Sequence, residues 1–360
     1  MRYNKLGRTG LVISEICLGA MTFGSVGFTS FMGSLEQDET NALVKHAVDK
    51  GVNFIDTADI YANGMSEQLV GGALKKLGVG RDEIVVATKV YGRLMLATPG
   101  QAPAGTPDQM RRVNNPNLWG LSRKHIFDAI DASLKRLQLD HVDLYQIHAA
   151  DPLTPMEETL DALNDVVRSG RARYLGFCNL AGWQAAKALG ISAAKNLARF
   201  ESAQMYYSIA GRDIEREIKP FALEEGLSLL PWSPLAGGFL SGKFTRQGTT
   251  DANARRTVFD FPPIDKERAY DIIDVMKPMA DQRGISVAQI ALAWVLAQKP
   301  VSSVIIGART EAQLADNIAA ADVRLSADEL AALDKVSALK TEYPGWMQVR
   351  QQTDRAKIVS

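Results

Sequence analysis

Strand-like and helix-like stretches alternate eight times along this 360-residue chain, which predicts an α/β fold closed as a (β/α)8 barrel of the TIM type. Three observations carry that prediction. Five apolar runs each end on a polar residue: Asn53 to Asp56, Ile84 to Lys89, Asp143 to His148, Tyr174 to Asn179 and Arg199 to Gln204. A helix-like stretch follows most of them, the order that parallel strands need. No linker-like segment divides the chain, so eight units favour one barrel over a doubly wound sheet. In such a barrel all strand ends meet at one rim, where barrels of this kind carry their chemistry. The expectation is one domain over residues 1–360, with the barrel at about 15–320 and a C-terminal helix and tail at 321–360.

Taken in order, Arg2 to Leu6 and Val12 to Ile16 can pair as an N-terminal hairpin, and the first barrel strand ends near Gly19. Glu36 to Lys50 has helical spacing and stops at Gly51, a good C-terminal signal. The strand ending at Asp56 precedes a helix over Ser66 to Leu77. The strand ending at Lys89 precedes a long Gly/Pro/polar stretch, Tyr91 to Gly120, then a helix over Ser122 to Leu137 that the Ser122 hydroxyl can cap. After His148 a helix over Pro155 to Ser169 closes at Gly170, and after Asn179 a helix lies near Trp183 to Leu189. Phe200 to Gln204 leads to a helix over Asp213 to Glu225, closed by Gly226, and Leu227 to Trp232 is a seventh strand. An extra helix, Lys266 to Gln282, and the helix Ser286 to Gln298 precede the eighth strand, Val301 to Ile306, and its helix Thr310 to Ala320. A last helix, Ser326 to Val336, and a tail finish the chain.

Charge balances at 41 acidic against 41 basic residues, so no basic excess points to nucleic acid and no single-sign field to a charged macromolecule. Cys17 and Cys178 each sit in an apolar strand-like run, which predicts neither a disulfide framework nor a CxxC metal pair and suits a reducing compartment. The segment Met1 to Leu6 has no apolar run behind it, as a secretory signal would, and no stretch reaches eighteen consecutive apolar residues. The expectation is a cytoplasmic protein with no membrane or nucleic-acid partner.

Four polar residues at or just beyond the predicted rim share one physical use. Asp56 alone is most often a turn or cap residue, and Tyr61 alone a packed aromatic. His148 is one of four histidines and by itself an even choice between roles. Lys89 is harder to dismiss, because it ends a run of buried residue types and lysine is almost never buried without a partner. A tyrosine with an ordinary pKa of about 10 is poorly matched to neutral pH as a proton donor. A neighbouring ammonium lowers that pKa; Lys89 can supply it, held by the Asp56 carboxylate. His148 can hydrogen-bond the same substrate oxygen. An acid of this kind, with no metal and no nucleophile, suits carbonyl reduction, where oxygen gains a proton as carbon gains a hydride.

The sequence around these positions resembles the aldo-keto reductases. The matching text is Gly51-Val52-Asn53-Phe54-Ile55-Asp56-Thr57-Ala58 with Tyr61, Ser133-Leu134-Lys135-Arg136-Leu137 with Asp143-Leu144-Tyr145-Gln146-Ile147-His148, and Ile305-Ile306-Gly307-Ala308-Arg309. It extends from Leu6 to about Leu339 in the right order. The resemblance implies a (β/α)8 barrel and NADPH-dependent reduction of an aldehyde or ketone to an alcohol. It also implies the tetrad Asp56, Tyr61, Lys89 and His148, with Tyr61 as general acid.

No G-x-G-x-x-G follows the first strand, so the usual dinucleotide-binding turn is not predicted. Gly237 to Lys243 fits the start of a P-loop, but Phe244 stands where a magnesium-holding hydroxyl is needed and no apolar helix follows. An NTPase is rejected. The resemblance instead implies that this loop, with Gly237 and Lys243, wraps the pyrophosphate of NADPH or NADP+. It places Asn179 and Gln204 on the nicotinamide carboxamide and Trp232 against the ring. Gly19, Met21, Asp56, Ser233, Pro234 and Leu235 complete the implied cofactor-binding set. Cys178 stands where many relatives have serine, which weakens one hydrogen bond there. Past strand eight, Gly307 to Thr310 opens a helix whose N-terminus can bind phosphate. Arg309 adds a fork suited to a 2′-phosphate, favouring NADPH over NADH. Gln313 and Asn317 lie four apart on one helical face, consistent with adenine contacts.

Substrate walls should come from loops on the same rim. Met21, Phe23, Phe28, Phe31 and Met32 crowd the first loop, Tyr91, Leu94 and Trp119 the third, and Phe259 and Phe261 the seventh. Phe28, Tyr91, Trp119 and Phe259 are the expected pocket residues, fitting a sizeable hydrophobic or aromatic carbonyl compound. Tyr91 to Gly120 is a candidate lid. One alternative is a cofactor-binding regulatory protein with little turnover, as in the potassium-channel β subunits that resemble this family; an intact tetrad argues against it. A metal-dependent barrel hydrolase or lyase needs several ligands at strand ends. Only Asp56 and His148 qualify, beside a lysine that repels a cation, so no metal is expected.

Overall fold

The computed structural model describes residues 1–25, 34–92, 106–249, 251 and 254–356. Its centre is one sheet of eight strands. They are β1 (Ile16–Gly19), β2 (Phe54–Asp56), β3 (Val85–Val90), β4 (Val142–Ile147), β5 (Ala172–Cys178), β6 (Phe200–Tyr206), β7 (Ser228–Trp232) and β8 (Val304–Ile306). From β1 to β7 each strand pairs in parallel with its sequence neighbours, and β8 pairs with β1. The remaining seam is closed just before β8, where Leu229 of β7 donates its N–H to Pro300 O and accepts from the Ser302 N–H. The predicted (β/α)8 barrel is the observed one. The hairpin is present as Tyr3–Lys5 paired antiparallel with Val12–Ser14.

Side chains along a strand alternate between two faces, so inward positions recur every second residue. Cys17, Phe54, Val85, Ala87, Leu144, Leu230 and Ile305 form an apolar cluster inside the barrel. Leu6 and Ile13 from the hairpin region belong to the same cluster and close its lower end. Two residues further along β2, β3, β4 and β7 stand Asp56, Lys89, Gln146 and Trp232. The interior thus changes from apolar floor to polar rim within one step of each strand. Outward residues such as Ile55, Val86, Tyr145 and Phe177 pack with helix residues such as Val44, Val70, Ile130 and Leu163 in the larger core. Each such burial is worth about 1.5–3 kcal/mol, so the strand positions are strongly fixed.

Helix starts are capped by side chains, at Ser122 as the sequence predicts and at Ser326 as well. Ser122 accepts from His125 N and opens helix Arg123–Leu137, and Ser326 does the same from Glu329 N for helix Ala327–Val336. Four segments differ from expectation. Asp213 to Glu225 divides into a 3-10 turn, Asp213–Glu215, and a helix, Ile218–Glu225, because Arg212 grips Glu215 through both Nε and Nη2. The helix after β5 is longer, Gly182–Lys195. The stretch after β3 holds a short helix, Pro107–Val113, capped by Thr106, and the tail carries a helix, Gly345–Ala356. Among the described residues no helix is long and apolar enough to cross a membrane.

Candidate active site

Asp56 ends β2, and the chain then turns sharply at Tyr61–Gly64. Ala62, Asn63 and Gly64 take φ of 46°, 54° and 92°, three successive left-handed residues that reverse the chain into helix Met65–Leu77. Only glycine takes that conformation freely, so the turn is held by its surroundings. The first turn of the helix supplies the hold. Ser66 Oγ donates to Ala20 O at 2.7 Å and lies 2.9 Å from Thr57 Oγ1. Glu67, fully buried, accepts from Thr88 Oγ1 and from Arg136 Nε, each at 2.6 Å. Tyr61 is thereby fixed over the strand ends.

Lys89 points up the barrel axis and spends its three protons locally. Nζ donates to Asp56 Oδ2 at 2.5 Å, to Thr57 O at 2.8 Å and to Tyr61 Oη at 3.2 Å. His148 follows β4, held by its backbone N–H to Val90 O, and its ring meets the Tyr61 ring edge-on with centroids 5.8 Å apart. Asp56, Tyr61, Lys89 and His148 therefore form one contiguous group. Burial pushes the Tyr61 phenol up to about 12; Lys89 pulls it down, while Asp56 adds to the rise. The net direction is opposite to the depression anticipated from Lys89 alone, because desolvation of a phenolate outweighs one cation. Burial opposes the Lys89 ammonium, yet Asp56 and Tyr61 hold its pKa above the ordinary lysine value. Burial and the Lys89 charge push His148 down to about 3, leaving a neutral imidazole at neutral pH.

A cavity of about 610 Å³ opens from this group and continues to the helix after β8. Asp56, Tyr61 and His148 line one end, and Arg309, Gln313 and Asn317 the other. Gly19, Met21, Asn179, Gln204, Trp232, Ser233, Pro234, Leu235, Gly237, Lys243 and Gly307 line it between them. Several of these groups are already engaged within the chain. Gln204 Nε2 donates to Asp56 Oδ1 at 2.8 Å. Asn179, left-handed at φ 56°, donates Nδ2 to His148 O and accepts the Trp232 indole N–H at 3.0 Å. Trp232 also lies parallel to Phe261, with centroids 6.0 Å apart. Lys243 is ion-paired with Asp251 at 2.7 Å. Gln313 Oε1 accepts from Arg309 N, and Thr310 caps helix Glu311–Ala319.

The expected pocket walls are placed differently. Tyr91 and Trp119 pack edge to face against each other, 6.2 Å between centroids, and Phe259 packs on Phe261. Among the described residues, none of Tyr91, Trp119 and Phe259 lines the cavity, whereas Ile60 and Phe261 do. Phe28, Phe31, Met32 and Leu94 lie outside the described residues.

Two residues of the site were not singled out from the sequence. Gln146, fully buried on β4, donates to Asp56 Oδ1 at 3.0 Å. Its signal was available: it stands two residues before His148, on the same face of the strand. Arg255 lines the cavity from the seventh loop, its Nε buried without a partner among the described residues. Burial, Arg256 and Arg309 push its pKa down to about 10. Neighbouring Arg256 is instead spent on Ala236 O, Pro262 O and Asp260. No periodicity in that loop distinguishes the two arginines. The donor set fits a dinucleotide. Arg255, partly buried with its Nε unpartnered among the described residues, and Arg309 at a helix N-terminus suit phosphate, amides stand at the tetrad end, and Gly238 lines the cavity with no described atom within 4 Å of where a Cβ would project.

The sequence matches the profile described as the Aldo/keto reductase family over residues 15–338. The chain belongs to the aldo/keto reductase family. As an aldo/keto reductase it is an oxidoreductase of a group that generally uses NAD(P)H on small carbonyl substrates. It is 37% identical to a versiconal hemiacetal acetate reductase of Aspergillus parasiticus, over 96% of this chain and 99% of the relative. It is 36% identical to the uncharacterized oxidoreductase YrpG of Bacillus subtilis, over 93% and 96%. A probable voltage-gated potassium channel subunit beta of Arabidopsis thaliana is 35% identical over 90% and 92%.

Proposed function

We propose that this aldo/keto reductase reduces an aldehyde or ketone to the alcohol with NADPH, Tyr61 giving the proton. The observation that carries the reading is the Lys89 ammonium, buried between the Asp56 carboxylate and the Tyr61 hydroxyl. Arg255 and Arg309 would take the phosphates, Gln313 and Asn317 the adenine end, and Asn179, Gln204 and Trp232 the nicotinamide end. Bound there, the reduced nicotinamide supplies the hydride.

The chain's own residues do the rest. Tyr61, kept protonated through the neutral range by burial, donates from Oη to the carbonyl oxygen. Lys89 stabilises the phenolate that donation leaves, and Asp56 keeps the lysine charged in a buried place. His148, a neutral imidazole, offers a hydrogen bond to the same oxygen without competing as a cation. Ile60 and Phe261 give the site apolar walls suited to a hydrophobic carbonyl compound. A reducing cytoplasm is consistent with the two buried free thiols, Cys17 and Cys178.

The test is NADPH consumption, followed by absorbance, with a panel of aliphatic and aromatic aldehydes and ketones. Steady turnover with at least one aromatic aldehyde is expected. Tight NADPH binding with no turnover on any of them would overturn the reading in favour of a regulatory, channel-subunit-like protein.

A further inference from the structure

Gln146 is fully buried and takes no part in the proton transfer described above. Its Cα lies in register with Lys89 on one side and Gly176 on the other. The missing side chain at Gly176 makes room for it: a Cβ there would stand 2.5 Å from Ser202 Oγ and 3.1 Å from Gln146 Cγ. Through that space Gln146 reaches across the barrel to Asp56. Asp56 Oδ1 accepts from Gln146 Nε2 at 3.0 Å and from Gln204 Nε2 at 2.8 Å, while Oδ2 takes the Lys89 ammonium. Gln204 Nε2 also donates to Gln146 Oε1 at 3.2 Å.

These bonds fix the orientation of both amides. A carboxylate only accepts, so each amide must turn its NH2 towards Asp56. Gln204 then has both N–H bonds committed, to Asp56 and to Gln146. Its carbonyl oxygen remains for the cavity that Gln204 lines. Without the Gln146 acceptor, one Gln204 N–H has no partner and the amide is free to rotate. Without the Gln146 donor, the Asp56 charge is less compensated, and that charge works against ionisation of Tyr61.

We propose that Gln146 is a positioning residue that joins proton delivery to the nicotinamide end of the cavity. It moderates the Asp56 charge felt by Tyr61 and it holds the Gln204 carbonyl towards the ligand. The inference rests on the carbonyl-reductase reading given above and on NADP+ occupying this cavity.

The experiment compares wild type with Gln146→Met, close in volume and without polar hydrogens, and with the smaller Gln146→Leu should the first not fold. Two readouts are taken. The first is affinity by fluorescence titration for NADP+ and for 2′,5′-ADP, which lacks the nicotinamide. NADP+ should weaken by about fivefold, the value of one neutral hydrogen bond, and 2′,5′-ADP should be unchanged. The second is the pH profile of alcohol oxidation, in which Tyr61 must act as base. Its acidic limb should move upward by about one pH unit.

An unchanged profile with unchanged NADP+ affinity overturns the proposal. Equal weakening of NADP+ and 2′,5′-ADP overturns it as well, because that pattern belongs to general loosening of the barrel. Failure of the wild type itself to turn over any carbonyl compound would strike the underlying reading instead, and the affinity comparison would still decide the role of Gln146.

Discussion

The Asp56–Lys89 pair offers a direct measure of how the active site is held. The two side chains are 2% and 0% exposed, and Nζ lies 2.5 Å from Oδ2. Lys89→Met removes the cation and leaves a carboxylate with two amide donors and no counter-charge in the barrel interior. Breaking a buried pair from one side costs about 3–5 kcal/mol, far above the 0–1 kcal/mol of surface pairs. Asp56→Asn strands the ammonium in the same way. The double variant Asp56→Asn with Lys89→Met removes both charges, while the asparagine oxygen still accepts from Gln146 and Gln204. It should therefore be more stable than the sum of the single losses by about 2–3 kcal/mol. Urea unfolding of the wild type and all three variants closes the cycle. Additivity of the single losses to within about 0.5 kcal/mol would refute the reasoning, since it would mean that the two groups do not rely on each other.

Two further predictions follow from charges near the cavity. Burial and Glu67 push Asp59 up to about 7, and its Oδ2 accepts from Gly92 N at the base of the third loop. Its folded pKa lies above the unfolded value of about 3.9, so the native state binds more protons in that window and stability falls as pH rises from about 4 to about 7. Asp59→Asn should gain on the wild type across that range by up to about 4 kcal/mol, and a difference in unfolding free energy that stays constant with pH would contradict this. Arg255→Ala should raise the NADPH dissociation constant at least about tenfold and that of NADH by much less, because a charge-assisted contact to the 2′-phosphate is lost. Equal losses for both cofactors, measured by fluorescence titration, would remove Arg255 from 2′-phosphate recognition.

The barrel was legible because its strands announce themselves twice, by apolar runs and by the polar residue that ends them. Phe54 followed by Asp56, and Ala87 by Lys89, already contain the change from floor to rim. The meeting of Asp56, Tyr61, Lys89 and His148 was legible for the same reason: in a parallel barrel, residues far apart in sequence need only share the strand-end position to meet. What was not legible depends on packing. The sign of the Tyr61 pKa follows from how deeply the phenol is buried, which no spacing reveals. Asn179 and Gln204 line the cavity, but their hydrogen bonds run to Trp232, His148, Asp56 and Gln146. Tyr91 and Trp119 turned to each other, since two large aromatic rings in one loop gain from edge-to-face contact. Arg255 had no sequence signal, because it differs from Arg256 only in which of the two guanidinium groups packing commits to Ala236, Pro262 and Asp260 and which it leaves lining the cavity.

The central claim is that Tyr61 delivers the proton, and a single-turnover experiment with Tyr61→Phe tests it most directly. Enzyme preloaded with NADPH is mixed with a carbonyl compound that the wild type reduces, and loss of the reduced nicotinamide is followed by absorbance. The phenylalanine keeps the ring against His148 and leaves the cofactor contacts in place. NADPH affinity should stay within about twofold of wild type while the transfer rate falls about 10²–10⁴-fold, the usual worth of a general acid. A variant that transfers at the wild-type rate would contradict the account and return the proton to another donor.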